Sequence, residues 1–320
     1  MHLPCANPLY PYMLRSGLVT PAVQRWQQSV QSQRDTVRAR LMACAAQRVL
    51  STTDLARRLH NDEYPADTWY YGTLGPPPYM VVIGPRCPSE YARHITQRLV
   101  SALAPYVTTV SGMAYGIDTL ALEAAHAAGG ATIAITPTGV DTPAPSGTVP
   151  QIRQMIAGGK GAIVSEYVFT MHVSRAHFLH RNRLLAACAD VILIVEAAVR
   201  SGTMSTARMA LARGTDIAVV PGDITRPQSA GSNQLLRDGA HVVLDPADIA
   251  GLLDISWRTR QYPTVYMPLV RTIERGIVTP EGIAEALSLD AAALARLLLQ
   301  AEHDSIVSRS HLNEIRLQQR

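Results

Sequence analysis

Short apolar runs alternate with helical patterns through the middle of the chain. Runs of four or five residues predict buried strands at 79–83, 107–110, 132–135, 162–165, 191–195 and 217–220, and a further run predicts an edge strand at 241–244. Apolar positions spaced by three or four residues predict helices between them, as at 90–103 and 149–157. Strands that alternate with helices form a parallel sheet covered on both faces. The pattern therefore predicts an α/β fold with a doubly wound, mostly parallel sheet.

The residues before this sheet predict a small helical domain over 1–70. Apolar positions recur every three to four residues through 22–50, as expected for an amphipathic helix, and a second short helix is predicted after Asp54. A linker is predicted at 64–78, because three consecutive prolines at its end disfavour both a helix and a central strand. The sheet domain is then expected to occupy 76–255.

The residues after the sheet, 263–320, predict a third, small domain. Helical patterns at 279–287 and 290–301 precede two short runs that predict a hairpin. This order of elements is typical of a winged-helix module. The second helix carries Arg296 as its single basic residue, which favours a structural or protein-contact role over the reading of duplex DNA.

Residues 177–207, which read HFLHRNRLLAACADVILIVEAAVRSGTMSTA, combine three signals. A basic cluster, Arg181-Asn182-Arg183, stands at the head of an apolar run, and the central buried strand follows it. A polar turn, 200–203, then opens another helix. Free N–H groups and the helix dipole make such a strand–turn–helix unit a natural anion site. Because the stretch contains no nucleophile–base pair, it is expected to hold phosphates rather than to break bonds.

Composition and charge narrow the classes of function. Across 320 residues the net charge is +4, which is compatible with a polyanionic partner, and aromatic residues, at 5%, leave few groups for stacking on bases. The four cysteines are widely spread and show no metal-ligand spacing, a pattern expected in a reducing compartment. The sequence shows no signal-peptide pattern and no apolar run of ~20 residues, so a cytoplasmic protein without a membrane contact is expected.

Two further turns follow strands and contain candidate groups for binding an anion. In Gly84-Pro85-Arg86 the guanidinium is a candidate for gripping a phosphate, although a turn with a solvated arginine is the simpler interpretation. In 111–118, which reads SGMAYGID, glycines allow close approach of a ligand. Asp118 is expected to cap or orient the following helix rather than to act as an acid.

Catalytic, metal and cofactor sites are not predicted. His172, His177 and His180 lie near one another in sequence, but Glu166 is the only acid close to them and no cysteine joins them. Glu166 has no paired acid or nucleophile. We therefore interpret it as a structural carboxylate for a nearby arginine rather than as a general base.

Six motifs, in fixed order along 81–253, resemble those of the DNA processing protein A family, also called DprA or Smf. S-G-[LM]-A-x-G-I-D is complete at 111–118, and F-x-x-R-N-R-[IL]-[IL]-A begins at Phe178. The others are a G-S-R-like turn, V-V-E-A-x-x-x-S-G-[ST]-x-x-T-A, V-P-G and G-x-N-x-L-[IL]-x-x-G-A, at 84–86, 194–207, 220–222 and 231–240. Several motifs in order are far more specific than any one of them.

The resemblance implies an extended Rossmann-like domain that binds single-stranded DNA. It also implies a homodimer that protects incoming strands and helps load RecA recombinase onto them during transformation or recombination. It implies no catalysis, and no cofactor or metal is expected. Carried over by motif, nine residues are expected to line the phosphate-binding surface: Arg86, Ser111, Gly112, Arg181, Asn182, Arg183, Ser201, Gly202 and Thr203. Helix N-termini and arginines can hold a DNA backbone without reading its sequence.

Two departures from the family pattern concern this surface. Pro85 replaces a serine and so removes a hydroxyl and an N–H group. Tyr115 stands where the family often has a basic residue. These changes are expected either to weaken DNA affinity or to suit a different phosphate ligand.

Two alternatives to DNA binding remain. One is a nucleotide phosphoribohydrolase of the lonely-guy, cytokinin-activating type, which shares a basic helix, a strand and a Gly-Thr turn. That family needs the glutamate of P-G-G-x-G-T-x-x-E, and Thr206 occupies the corresponding position, so this alternative is disfavoured. The other is an interaction protein that keeps the fold and senses a ligand or partner through its two small domains.

Overall fold

The computed structural model describes residues 47–48, 55, 58, 68–140, 143–167, 175–257, 262–310 and 313–317. Most of the helical domain predicted for 1–70 lies outside these residues, as does His172. The described part contains a sheet, helices on both of its faces and a small C-terminal unit. None of the described helices is long and apolar enough to cross a membrane.

The central sheet has nine strands within the described residues: β1 Gln47–Arg48, β2 Trp69–Gly72, β3 Tyr79–Ile83, β4 Thr108–Ser111, β5 Ala131–Ile135, β6 Gly161–Ser165, β7 Val191–Ile194, β8 Asp216–Val219 and β9 His241–Val242. Their order across the sheet is β1-β2-β6-β5-β4-β3-β7-β8-β9. Strands β3 to β9 pair in parallel, and β1 and β2 add an antiparallel edge. The predicted α/β fold with a mostly parallel sheet is confirmed.

Helices cover both faces of this sheet. In the described residues they are α1 Glu90–Leu103, α2 Ile117–Ala127, α3 Val149–Ala157, α4 Arg175–Cys188, α5 Gly202–Leu211, α6 Ala230–Arg237 and α7 Pro246–Leu252. Helices α1, α2 and α7 share one core with Met80 and Val82 of β3, whereas α4, α5 and α6 share the other with Val81 and Ile83. Because successive residues of β3 enter opposite cores, the whole strand is apolar.

Strands β1 and β2 correct two predictions for the N-terminal region. Gln47–Arg48 falls within the predicted helix 22–50, and Trp69–Gly72 falls within the predicted linker, yet the two segments pair with each other and β2 also pairs with β6. Trp69, Tyr70 and Tyr71 favour an extended strand. In β2 this preference outweighs the effect of the prolines that follow at 76–78. Leu55, 1% exposed, belongs to the core on the α4 face. The sheet and its core therefore extend N-terminal to the predicted boundary at residue 76.

The C-terminal unit contains α8 Met267–Glu274, α9 Pro280–Leu287, α10 Ala291–His303 and a hairpin of β10 Val307–Arg309 with β11 Ile315–Leu317. The last two helices and the hairpin are as predicted, and α8 is an addition. Thr279 and Asp290 cap α9 and α10 with their side chains. Leu269, Ile283 and Leu298 contribute to a core of its own.

Candidate nucleic-acid interface

The turns that the sequence singles out lie at the edge of the sheet where its parallel strands end. Strands β3 and β7 are neighbours there. The loops that follow them are joined, because Glu196 accepts hydrogen bonds from Ser89 N (3.0 Å) and Ser89 Oγ (2.9 Å). Strand order reverses between β3 and β7, and sheets of this type bind ligands at such a reversal.

The turn after β4 encloses two buried side chains of opposite charge, Arg181 and Asp118. Arg181 of α4 is 3% exposed, and its guanidinium donates hydrogen bonds to the carbonyls of Gly112 and Ile135. Asp118, 5% exposed, lies beside it at the start of α2. A Cβ atom on Gly112 would overlap both the Arg181 guanidinium and the Asp118 carboxylate, so the pair requires glycine at this position.

Burial opposes the charged form of both members of this pair. Burial raises the pKa of Asp118 to about 6, although Arg181, backbone hydrogen bonds and Arg86 act in the opposite direction. Burial lowers the pKa of Arg181 to about 10, which Asp118 opposes. At neutral pH the two groups are thus mainly charged, as a pair inside the protein rather than at its surface.

Two further residues of the predicted surface also lie inside the protein. The Ser111 hydroxyl is buried and donates to Val82 O (2.6 Å), which ties β4 to β3. Asn182, 9% exposed, accepts a hydrogen bond from Arg181 Nε (3.3 Å). These side chains and Gly112 support the turn in this structure, and their contact with a phosphate stays a prediction.

The burial of Arg181 follows a pattern that sequence reasoning missed. Leu184, Leu185 and Cys188 form a buried stripe on α4. Arg181 precedes them by three, four and seven residues, the spacing of one helix face. The stripe therefore predicts a buried Arg181. No comparable local signal identifies Asp118 as its partner, because the two are distant in sequence.

Arg183 belongs to a second, more open cluster. Its guanidinium pairs with Glu166, whose side chain is 6% exposed, so Glu166 has the arginine partner expected of a structural carboxylate. His180 lies 3.7 Å from the other Glu166 oxygen, and burial and then Arg183 lower the pKa of His180. Tyr167 Oη lies 3.4 Å from His180 Nδ1. Among the described residues, no group of His, Cys, Asp and Glu is arranged to hold a metal.

The start of α5 is the open part of this edge. Ser201 caps the helix by accepting a hydrogen bond from Met204 N (3.3 Å). Gly202 is exposed, and a Cβ atom there would meet no described atom within 4 Å beyond its own helix and neighbours. The first N–H groups of a helix have no intrahelical partner, so those of Gly202 and Thr203 point beyond the helix start. Arg200, which the predicted set omits, is exposed just before this turn.

Thr206 occupies the position at which a lonely-guy enzyme carries its glutamate. It is 2% exposed, and its hydroxyl donates to Gly202 O (3.3 Å) within the helix. The side chain supplies neither an acid nor a base to the turn. The enzymatic alternative is not favoured.

Arg86 is exposed in the loop after β3, and its guanidinium lies 5.2 Å from the centroid of the Phe178 ring of α4. Pro85, which replaces the family's serine, takes part through its carbonyl, which accepts from Ile117 N (3.2 Å). Gly116, at φ +84°, permits this approach, because a Cβ atom there would overlap the Pro85 carbonyl. The contact uses the backbone carbonyl, which proline retains, so the replacement of serine by proline leaves this hydrogen bond in place.

Residues 231–240, the last of the six motifs, form hydrogen bonds with the neighbouring loops. Asn233 of α6 accepts from Gly222 N (3.1 Å) and donates to Gly222 O (3.0 Å). Ser232 Oγ accepts from Ala197 N (2.7 Å), and Gly231 N donates to Ala197 O (2.8 Å). These bonds hold the loops after β7 and β8, and so the loop that leads into α5.

Comparisons of the sequence point to one group of proteins. The chain matches the family described as DNA recombination-mediator protein A over residues 51–254. It is 40% identical over 169 residues to the putative DNA processing protein DprA of Mycobacterium tuberculosis H37Rv, covering 52% of this chain and 43% of that protein. It is 33% identical over 172 residues to DNA processing protein DprA of Streptococcus pneumoniae, covering 54% and 60%. The chain spans about half the length of the curated relatives it matches.

Solved structures agree with the sequence comparisons. The X-ray structure of DprA from Streptococcus pneumoniae matches with a TM-score of 0.62 and 26% identity, covering 77% of this chain and 85% of that one. DNA processing protein A from Helicobacter pylori, in a structure described for its single-stranded DNA binding mode, matches with a TM-score of 0.58 and 29% identity. That match covers 65% of this chain and 95% of the other.

Proposed function

The chain belongs to the DNA recombination-mediator protein A family, and on this premise we propose that it binds single-stranded DNA through the phosphate backbone. The observation that carries the proposal is the open start of α5, with exposed Arg200 before it and exposed Arg86 on the loop after the neighbouring strand. Backbone N–H groups and guanidinium groups hold phosphates without reading bases. Binding is therefore independent of sequence. The relative from Helicobacter pylori, described as binding single-stranded DNA, supports this ligand.

The nine residues assigned by motif have different roles in this proposal. Four contact phosphates directly: Arg86, Ser201, Gly202 and Thr203, the last through its backbone N–H group because its side chain is only 7% exposed. Four others are buried and position the turn after β4: Ser111, Gly112, Arg181 and Asn182. Arg183, which is partly exposed, holds the adjoining cluster through Glu166. Arg200 joins the first group.

The biological role that we propose is inferred from the family to which the chain belongs. We propose that a homodimer in the cytoplasm protects the bound strand and helps load RecA recombinase onto it during transformation or recombination. The family is one of recombination mediators rather than of enzymes, which supports the prediction that the chain is not an enzyme. The C-terminal unit is winged-helix-like in its order of helices and hairpin. Because Arg296 is the only Lys or Arg on α10, we assign this unit a protein-contact or structural role.

Titration of a fluorescent oligo-dT strand and a matched duplex at two salt concentrations tests the proposal. We expect single-strand binding that weakens steeply with salt, because each phosphate contact releases a counterion. Arg86→Ala and Arg200→Ala are each expected to weaken binding and to lower the slope of log affinity against log salt by about 0.7. Arg237→Ala, an exposed arginine at the far end of α6, serves as the matched control.

Three results would contradict parts of this proposal. Failure of the native chain to bind the strand removes the function itself. If Arg86→Ala and Arg200→Ala both leave the affinity and its salt dependence unchanged, the binding site lies elsewhere. Release of free base from nucleoside monophosphates by the purified chain restores the enzymatic alternative.

A further inference from the structure

The C-terminal unit contacts helix α1 of the sheet domain. His94 of α1 is partly buried, and its Nε2 atom lies 2.9 Å from the carbonyl oxygen of Glu274, the last residue of α8. Because a carbonyl oxygen only accepts, the histidine donates this hydrogen bond. The carbonyls of the last turn of a helix have no partner within their own helix, so α1 supplies one from outside.

Gly276 brings the turn after α8 close to the same histidine. Its φ of +87° is a conformation that favours glycine, and a Cβ atom there would lie 3.0 Å from His94 Nδ1. Both the shape of the turn and the space beside the ring therefore suit a residue without a side chain. The two contacts, to Glu274 and to Gly276, set the end of α8 against α1.

Two exposed arginines stand at this end of α8. Arg275 is the residue between Glu274 and Gly276, and Arg271 precedes it by four residues, about one helical turn. Leu269 and Ile273 are on the opposite side of the helix, in the core of the C-terminal unit. The apolar side of α8 is thus occupied, and its basic side faces solvent next to α1.

The basic side of α8 continues the phosphate-binding surface of the sheet domain. Arg93 immediately precedes His94 in α1, is exposed, and lines the same cleft as Arg86. Since His94 also contacts the two neighbours of Arg275, it connects the arginines of the sheet domain with those of α8. Arg86, Arg93, Arg275 and Arg271 therefore follow one another across α1.

The side chains along this line are available to an anion. Within the part of the chain that the structure describes, the guanidinium groups of Arg271 and Arg275 form no ion pair and no hydrogen bond. Arg93 lies 3.5 Å from Glu90, but both side chains are exposed, and such a pair contributes little. The Glu274 carboxylate, exposed between the two arginines of α8, reduces their positive charge without cancelling it.

We propose that a long single strand runs from Arg86 and Arg93 over α1 to Arg275 and Arg271, which hold its phosphates. His94 and Gly276 are positioning residues, because they seat the end of α8 beside this path. The inference rests on the proposed function, since it requires a bound strand. It uses α8 rather than α10, the helix with which a winged-helix module reads a duplex, so the role assigned from α10 is unaffected.

A series of oligo-dT strands of increasing length, titrated on the full chain at several salt concentrations, tests this path. In the native protein we expect the slope of log affinity against log salt to steepen once a strand reaches α8. Arg271→Ala combined with Arg275→Ala should lower the slope for long strands by about 1.4, or about 0.7 for each phosphate, and leave short strands unaffected. Arg296→Ala, an exposed arginine of the same unit on α10, serves as the matched control.

Variants of His94 test the positioning role while retaining every arginine. His94→Ala is expected to weaken the binding of long strands about 2- to 5-fold, the effect of an exposed charge contact, and to leave short strands unaffected. His94→Gln keeps an N–H donor for Glu274 O and should restore most of the loss. In the His94→Ala background, the loss caused by the two arginine replacements should be smaller than in the native chain.

Chemical modification of the unaltered protein provides a measurement that does not depend on the folding of a variant. Long strands are expected to protect Arg275 from phenylglyoxal, a reagent for arginine, whereas short strands should not. Equal modification of Arg275 with and without a long strand, or equal salt slopes for short and long strands, would overturn the path over α1 and leave binding at Arg86 intact. Failure of the native chain to bind strands of any length would instead remove the proposed function.

Discussion

The turn after β4 and the turn before α5 look alike in sequence but are surrounded differently. Each joins a strand of the same sheet to a helix, and each contains a Ser-Gly pair. The space at Gly112 is filled by Arg181 and Asp118, whereas Gly202 meets no described atom beyond its own helix and neighbours. The first turn is therefore a packed support, and the second is an open helix start. A Ser-Gly turn predicts an anion site only where no other side chain of the protein occupies it.

Among the variants that test this difference between the two turns, replacement of Arg181 is expected to cause the largest loss of stability. Arg181→Met removes three hydrogen bonds, to Gly112, Ile135 and Asn182, and removes the nearby positive charge that favours the ionised form of the buried Asp118 carboxylate. We expect the free energy of unfolding to fall by about 3–5 kcal/mol, measured by chemical denaturation. Arg86→Met, at an exposed position, should cost no more than about 1 kcal/mol.

A double variant distinguishes a buried charge from lost packing. Combining Arg181→Met with Asp118→Asn removes both charges, so part of the stability should return. Simple additivity of the two losses would show that the charges of Arg181 and Asp118 do not interact.

The pH dependence of stability provides a second test of the buried pair. Because the pKa of Asp118 is about 6 in the folded protein and about 3.8 in the unfolded chain, the folded state holds the proton more tightly between these values. Stability from this group is complete below about pH 4 and falls as the pH rises to about 6, by roughly 3 kcal/mol at about 1.4 kcal/mol per pKa unit. Denaturation of the native chain and of Asp118→Asn from pH 4 to 7 measures the difference, and parallel profiles would contradict it.

Most of the sheet is predictable because its strands are buried on both sides. All five residues of β3 are buried, and its predicted and observed bounds coincide. Strand β4 differs from its prediction by one residue at each end. Strand β2 escapes prediction because it lies at the antiparallel edge, is partly exposed and precedes a proline run. Local patterns identify strands with two apolar neighbours better than strands whose pairing depends on distant residues.

The candidate site is predictable in position but not in the exposure of its members. Six ordered motifs place the turns at one edge of the sheet, because parallel strands end together. Whether a charged residue there faces solvent depends on residues far away in sequence, as the hydrogen bonds from Arg181 to Gly112 and Ile135 illustrate. The stripe through Leu184 and Leu185 gives a local indication of its burial, whereas nothing local reveals the partner.

Adding one methyl group at each of the two glycines tests the comparison directly. Gly112→Ala places an atom against the Arg181 guanidinium and should lower the free energy of unfolding by about 1–3 kcal/mol. Gly202→Ala enters open space at the first turn of α5 and should change stability by no more than about 0.5 kcal/mol. If the methyl instead blocks a phosphate, Gly202→Ala will weaken oligo-dT binding at unchanged stability. Equal stability losses at the two positions would show that the open and packed turns do not differ as described.

The smallest loss of stability is expected at Ser201, the N-cap of α5. Two variants of this residue separate its role in capping the helix from a contact with phosphate. Ser201→Ala removes the acceptor for Met204 N and should cost about 1 kcal/mol, whereas Ser201→Gly should cost only a few tenths of a kcal/mol, because glycine is tolerated at a helix N-cap. Both variants lack the hydroxyl. If that hydroxyl contacts a phosphate, both will bind oligo-dT more weakly, although Ser201→Gly stays stable. If Ser201 only caps the helix, affinity will follow stability, and Ser201→Gly will bind as the native chain does. Ser205→Ala, one turn further along α5, controls for the loss of a serine from this helix.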